Sequence, residues 1–201
     1  MARFEDAYAG LAPAEGGYAN DPDDPGGETF AGITRRDFPE WRGWGVIDAR
    51  TAERPGEPPV LTPADFAVLG ELAAAFYRAE FWADMQGDRL LSQAIASECF
   101  EASVNVGTTR AVRWLQRALN VCNRRATLWP DLVVDGRIGE ATIAAVADAV
   151  LRRREGVVVA AMNILQGAHY VDLMERRDVN ERFTGWFDRA AFTLSRGRLL
   201  A

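Results

Sequence analysis

Three residues able to share one hydrolytic reaction, Glu15, Asp24 and Thr29, fall inside a single run, EGGYANDPDDPGGETFAGIT, residues 15 to 34. A carboxylic acid kept out of bulk water holds its proton at neutral pH and can pass it to a leaving oxygen, because burial raises a carboxyl pKa. A second carboxylate across a gap can hold the attacking water, and a nearby hydroxyl can help to orient it. Cleavage of a glycosidic bond uses that division of labour, with a wider gap for inversion and a narrower one for a covalent intermediate. The paired glycines at 16–17 and 26–27 give the loop the backbone freedom to fold over a cleft. Taken locally, Glu15 also reads as a solvent-facing glutamate at a helix end, and Asp24 as a turn former beside Pro25-Gly26.

Metal chemistry fits less well. Asp21, Asp23 and Asp24 invite a calcium reading, but Pro25 stands where the loop pattern needs Asp or Asn, and the glutamate at its twelfth position is missing. His169 is the single histidine, so a histidine-rich centre is excluded. Cys99 and Cys122 lie in apolar helical patterns and read as buried free thiols rather than a disulfide framework. No metal and no organic cofactor is expected.

The elements that must position the acid are mainly helices. Phe4, Tyr8 and Leu11 recur at helical spacing, and Gly16-Gly17 suits a helix stop, so Glu15 falls in or just beyond the last turn. Residues 18 to 61 read as loop, with short extended pieces near Tyr18 and Phe30 able to form a small hairpin. The stretch from Arg42 to Val60 reads as a surface excursion. Thr62-Pro63-Ala64-Asp65 is a helix start, with a hydroxyl cap, proline in the first turn and an early acid. Phe66, Leu69, Leu72, Ala73, Phe76 and Tyr77 then form an apolar stripe. Leu90 to Val104 suggests the next helix, interrupted at Gly107-Thr108-Thr109, and Val112 to Cys122 the one after. Asp135-Gly136-Arg137-Ile138-Gly139 is a turn. Helices from about Glu140 to Arg153, Val157 to Met174 and Phe183 to Leu194 complete the chain. No strand alternation is sustained, so the fold class is all-α, with room for a hairpin near the acid.

Composition narrows the class. With 201 residues, 48% apolar and 26% charged, the chain can bury a real core. No run of 18 apolar residues occurs, so no membrane span is expected. The N-terminus MARFEDAYAG has no apolar signal core. Synthesis in the cytoplasm without Sec export is expected. All 23 basic residues are arginine and the net charge is −6. The charge is uneven: residues 1–101 carry 8 arginines against 19 acids, and residues 102–201 carry 15 against 10. The overall acidity argues against nucleic acid as a partner.

The run Glu15-Gly16-Gly17-Tyr18-x-Asn20, followed by Asp24-Pro25-Gly26-Gly27-x-Thr29 and Gly32-Ile33-Thr34, resembles the signature of glycoside hydrolase family 108, the lysozyme-like N-acetylmuramidases. Further similarity follows in Tyr77-x-x-x-Phe81-Trp82 and in Phe100 to Gly107, where Glu101 replaces a more usual aspartate. Arg113 to Leu119 and Val134 to Gly139 resemble the peptidoglycan-binding domain commonly fused to that family, and Phe183-x-Gly185-Trp186 resembles its closing segment. The similarity runs over roughly residues 12 to 190.

The resemblance implies a lysozyme-like catalytic region over 1–101 and a helical peptidoglycan-binding-like lobe over 102–201. It implies peptidoglycan glycan strands as substrate, cut at the β-1,4 bond from N-acetylmuramic acid to N-acetylglucosamine. Glu15 becomes the general acid. Asp24 and Thr29 take the water-positioning role by their order, with Asp23 and Thr34 competing for it. Tyr18, Asn20, Thr34 and Asn105 become candidate substrate contacts, while Asn105 equally suits a helix end. Delivery to the wall by a holin, a phage tail or a secretion system is expected. A lytic transglycosylase and a non-catalytic wall-binding protein of a phage-like particle are the competing outcomes.

Overall fold

The structure, a computed structural model, describes residues 1–11, 17–20 and 27–176. Among these residues the elements are α1 (Phe4–Leu11), β1 (Tyr18–Ala19), β2 (Thr29–Phe30), β3 (Ile33–Thr34), α2 (Trp44–Glu53), α3 (Pro63–Tyr77), α4 (Gln93–Val106), α5 (Thr108–Cys122), α6 (Glu140–Leu151) and α7 (Glu155–Glu175). A π-helical turn at Arg78–Trp82 follows α3 directly. The mainly helical class agrees with the sequence, and the small hairpin gains a third strand. The expected last helix, Phe183 to Leu194, lies outside the described residues.

The chain divides into two units, Tyr8–Glu80 and Met1–Ala7 with Phe81 onward. In the first, β1, β2 and β3 form an antiparallel sheet in sequence order. The register aligns Tyr18, Phe30 and Ile33 across the strands, and likewise Ala19, Thr29 and Thr34. Opposed residues share a face. Phe30 and Ile33 are buried, and Phe30 stacks on Trp41 with centroids 5.8 Å apart.

The presumed excursion from Arg42 to Val60 is partly structural. Trp44 and Ile47, three apart, fall on one helical face, and α2 buries both. Trp41 and Trp44 meet edge to face at 5.0 Å in this core. The start of α3 follows the sequence closely. Thr62 caps the helix, Pro63 opens it, and Thr62 and Asp65 exchange bonds as a capping box. Arg50 of α2 grips Asp65 with two nitrogens, at 2.9 and 3.1 Å.

The other unit is a helical core. Phe4, Trp82 and Phe100 pack edge to face at 5.7–5.9 Å. The helices α4, α5 and α7 pack against one another. Their facing apolar residues, including Ile95, Leu115, Leu119 and Met162, are buried. Ser92 caps α4 by accepting from the Ile95 amide, which starts that helix after Leu90-Leu91 rather than within them. Gly107 (φ +84°) both ends α4 and precedes α5, a conformation that favours glycine. Cys99 and Cys122 are buried free thiols, as the sequence implied.

Candidate functional site

Local chemistry of the E-G-G-Y run builds the sheet that carries its hydroxyls. Thr29-Phe30 and Ile33-Thr34 are joined by Ala31 (φ +49°) and Gly32 (φ +81°). Two positive φ angles make a type I′ turn, whose twist matches the flanking strands. The ladder continues through the Arg35 amide to the Glu28 carbonyl at 2.8 Å. The Tyr77 hydroxyl, from the last turn of α3, donates to the Ala31 carbonyl at 2.9 Å. Burial first, and the nearby Tyr8 second, push the Tyr77 phenol up to about 12, so it remains a donor at all physiological pH. A helix thus clamps the turn that sets the position of Thr29 and Thr34.

Thr29 and Thr34 face each other across β2 and β3. The Thr29 hydroxyl donates to the Gly27 carbonyl at 3.0 Å, which leaves its oxygen able to accept from water or a sugar hydroxyl. Thr34 is engaged locally: its hydroxyl donates to Asp37 at 2.8 Å and accepts from the Asp37 amide at 3.3 Å. Tyr18 is half-buried and donates to Glu28 at 2.9 Å. Burial, then the bond to Glu28, raise its phenol, while the exposed Asn20 side chain acts in the opposite sense. Tyr18 and Asn20 therefore sit together.

Two residues that sequence reasoning passed over complete this cluster. Glu28 accepts from Tyr18 through Oε1 and pairs with Arg35 through Oε2. Arg35 makes a forked contact with Asp48 at 2.6 and 3.1 Å, and its guanidinium lies 4.5 Å from the Trp44 ring centroid. Hydrogen bonding to Asp48 is the largest cause raising the Arg35 pKa. Through these two contacts Glu28 fixes Tyr18 and the strand end. Its position inside the motif, directly before Thr29, was the available signal. Glu15 and Asp24 lie outside the described residues.

Asn105 belongs to the other unit, on α4, where its amide donates to the Glu101 carbonyl at 2.9 Å. With Val106, Arg110, His169, Tyr170 and Leu173 it lines a pocket of about 350 Å³. Arg110 approaches His169 Nε2 at 3.0 Å. Arginine can only donate, so Nε2 is the acceptor and the neutral ring carries its proton on Nδ1. Burial, then the arginine, lower the His169 pKa. The pocket combines a cation, an amide and aromatic edges, a set able to hold a polar or anionic group beside an apolar one.

The Asp135-Gly136-x-Ile138-Gly139 turn, similar to wall-binding modules, has a clear structural task. Gln116 of α5 donates to Asp135 at 2.8 Å and to the Arg137 carbonyl at 3.0 Å, and accepts from the Gly136 amide at 2.9 Å. A Cβ at Gly136 (φ +82°) would lie 2.8 Å from the Thr109 carbonyl oxygen. Sequence periodicity also hid Glu98, buried on α4 beside Asn163, with one carboxyl oxygen and the Asn163 carbonyl oxygen both without a partner. Burial, then Glu101, push its carboxyl up to about 7.

Comparison with known proteins divides the chain in two. Residues 9–107 match the family model described as Glycosyl hydrolase 108, and residues 110–191 match the one described as Predicted Peptidoglycan domain. The first match contains Glu15, Asp24, Thr29 and Asn105, and the second contains Arg110 and His169 from the pocket. Solved structures include 11 matching chains. One, the structure of Brucella abortus SagA, shares 25% identity with a TM-score of 0.58, covering 96% of this chain and 92% of that one. No curated protein matches.

Proposed function

We propose, from the premise that this chain belongs to glycosyl hydrolase family 108 and is a peptidoglycan hydrolase, that it is an N-acetylmuramidase. The bond cut is the β-1,4 link from N-acetylmuramic acid to N-acetylglucosamine. Glu15 donates a proton to the leaving oxygen as the sugar takes on oxocarbenium character. Asp24 accepts a proton from the attacking water, with Thr29 orienting it, so that the anomeric centre inverts. Proton and hydroxide together complete the hydrolysis, and no cofactor takes part.

The observation that carries this reading is the family match over residues 9–107, which contains the whole E-G-G-Y to G-I-T run. The clamped hairpin supports it, because Tyr77, Glu28 and Arg35 hold Thr29 without consuming its acceptor capacity. Tyr18 and Asn20 present an aromatic edge and an amide near the same strand, groups suited to a glycan. Asn105 and the pocket around Arg110 supply a further contact to the wall polymer. We place its synthesis in the cytoplasm, with a holin, a phage tail or a secretion system carrying it to the wall.

Glu15→Gln is nearly isosteric and cannot donate the acid proton. The expected outcome is loss of at least ~10³-fold in reducing-end release from purified cell wall, with an unchanged melting temperature. Near-wild-type release would end the acid role. Mass spectrometry of the fragments distinguishes the chemistry: hydrolysis leaves reducing N-acetylmuramic acid, and a 1,6-anhydro product would instead mean a transglycosylase. Pelleting with wall but no released ends would mean a binding protein.

A further inference from the structure

The outward face of α7 carries Val157, Ala161, Ile164, Ala168, Val171 and Glu175. Their spacing is 4-3-4-3-4, the seam pattern of a coiled coil, with large and small residues alternating. The large members are open to solvent: Val157 is 46% exposed, Ile164 65% and Val171 43%. The opposite face is already used, since Val158, Val159, Met162, Asn163, Gln166 and Tyr170 are buried. No described element covers the outward stripe. Scattered exposed apolar residues are ordinary, but three in register along one helix are a docking pattern.

We propose that this stripe joins two copies of the chain through an antiparallel α7 pair. Three features favour a second copy as the occupant. The large residues are symmetric about Ile164, seven positions to each side, so an antiparallel copy meets the same pattern. Two of the three bulky side chains can enter gaps left by alanine: seating Ile164 against Ala161 of the other copy also seats Val157 against its Ala168. That register brings the acidic end of the helix (Asp172, Glu175) toward the exposed Arg152 and Arg153 of the turn that precedes α7 in the other copy. Both Arg153 and Asp172 are exposed, and opposite charges across such a seam select orientation.

A membrane is the less suitable occupant. By length and composition α7 could cross one, with 33% of its most apolar window buried. Its inner face, however, carries the buried amides Asn163 and Gln166, and Asn163 is placed beside Glu98. A single helix pair is smaller than a standard interface, so association is weak and concentration-dependent. Two joined copies carry two wall-binding domains, which lengthens residence on a polymeric wall without any new contact.

Sedimentation equilibrium on the full chain, between about 5 and about 500 µM, tests this. The weight-average mass should rise from 22.1 kDa toward twice that value. Ile164→Asp should weaken association by at least about tenfold with unchanged helix content by circular dichroism. Arg153→Glu should weaken it, and adding Asp172→Arg should restore it. A chain that stays monomeric throughout overturns the proposal. So does a dimer indifferent to Ile164→Asp, or a charge swap that fails to restore. Binding to anionic phospholipid vesicles that Ile164→Asp abolishes, without self-association, assigns the stripe to a lipid surface instead.

Discussion

A Cβ at Gly32 would lie 2.9 Å from the Tyr77 hydroxyl, on a residue with φ +81°. Gly32→Ala should therefore cost about 1–3 kcal/mol, from left-handed strain and the displaced hydroxyl together. Tyr77→Phe leaves the Ala31 carbonyl without its donor at a buried site, and should cost about 1–2 kcal/mol. Urea unfolding of both variants checks these values, and a cost below ~0.3 kcal/mol for each would mean that the clamp is idle. Glu98 gives a pH signature. Its folded pKa of about 7 exceeds the ordinary 4.5, so the folded protein holds the proton more tightly than the unfolded chain. Stability is then highest below the ordinary value and declines as pH rises toward 7, by on the order of 3 kcal/mol. Glu98→Gln should flatten that slope and raise the melting temperature at pH 8. An unchanged slope would place the proton elsewhere.

Among the elements, α3 depends most visibly on one side chain. Asp65 accepts from the Thr62 amide and hydroxyl, each at 2.7 Å, and from Arg50. Arg50 first, then Thr62, hold its carboxyl down at about 2. The sign is opposite to that of Glu98: the contribution is present above the ordinary carboxylate pKa and is lost as pH falls toward 2. Asp65→Ala should lower the melting temperature at pH 6 and leave little difference from wild type near pH 2. An equal effect at both pH values would show that the loss is one of packing, not of charge. This start was legible because capping chemistry is local: Thr62, Pro63 and Asp65 act on their own helix. The start of α4 was misread by a few residues because Leu90 and Leu91 continue the apolar pattern up to the Ser92 cap. Helix α2 was missed because its apolar face is short, and only Trp44 and Ile47 reveal it once Trp41 and Phe38 are beside them.

Taken as a whole, the molecule combines two opposed pH dependences, so thermal stability should peak on the acid side of neutrality, between the Asp65 and Glu98 titrations. Melting curves from pH 3 to pH 9 would show it, and a maximum near pH 8 would contradict the Glu98 assignment. The amino-acid order by itself determined the helical class, the α3 cap, the buried thiols and the family motif, because periodicity, capping and a dense run of specific residues are all local in sequence. Only the tertiary structure decided that Glu28 and Arg35 lock the hairpin, that Tyr77 clamps its turn, that Gln116 holds the Asp135 turn, and that Glu98 is buried. Those facts depend on residues between 7 and 65 positions apart meeting in space, and the burial that shifts a pKa comes from neighbours that no spacing rule identifies.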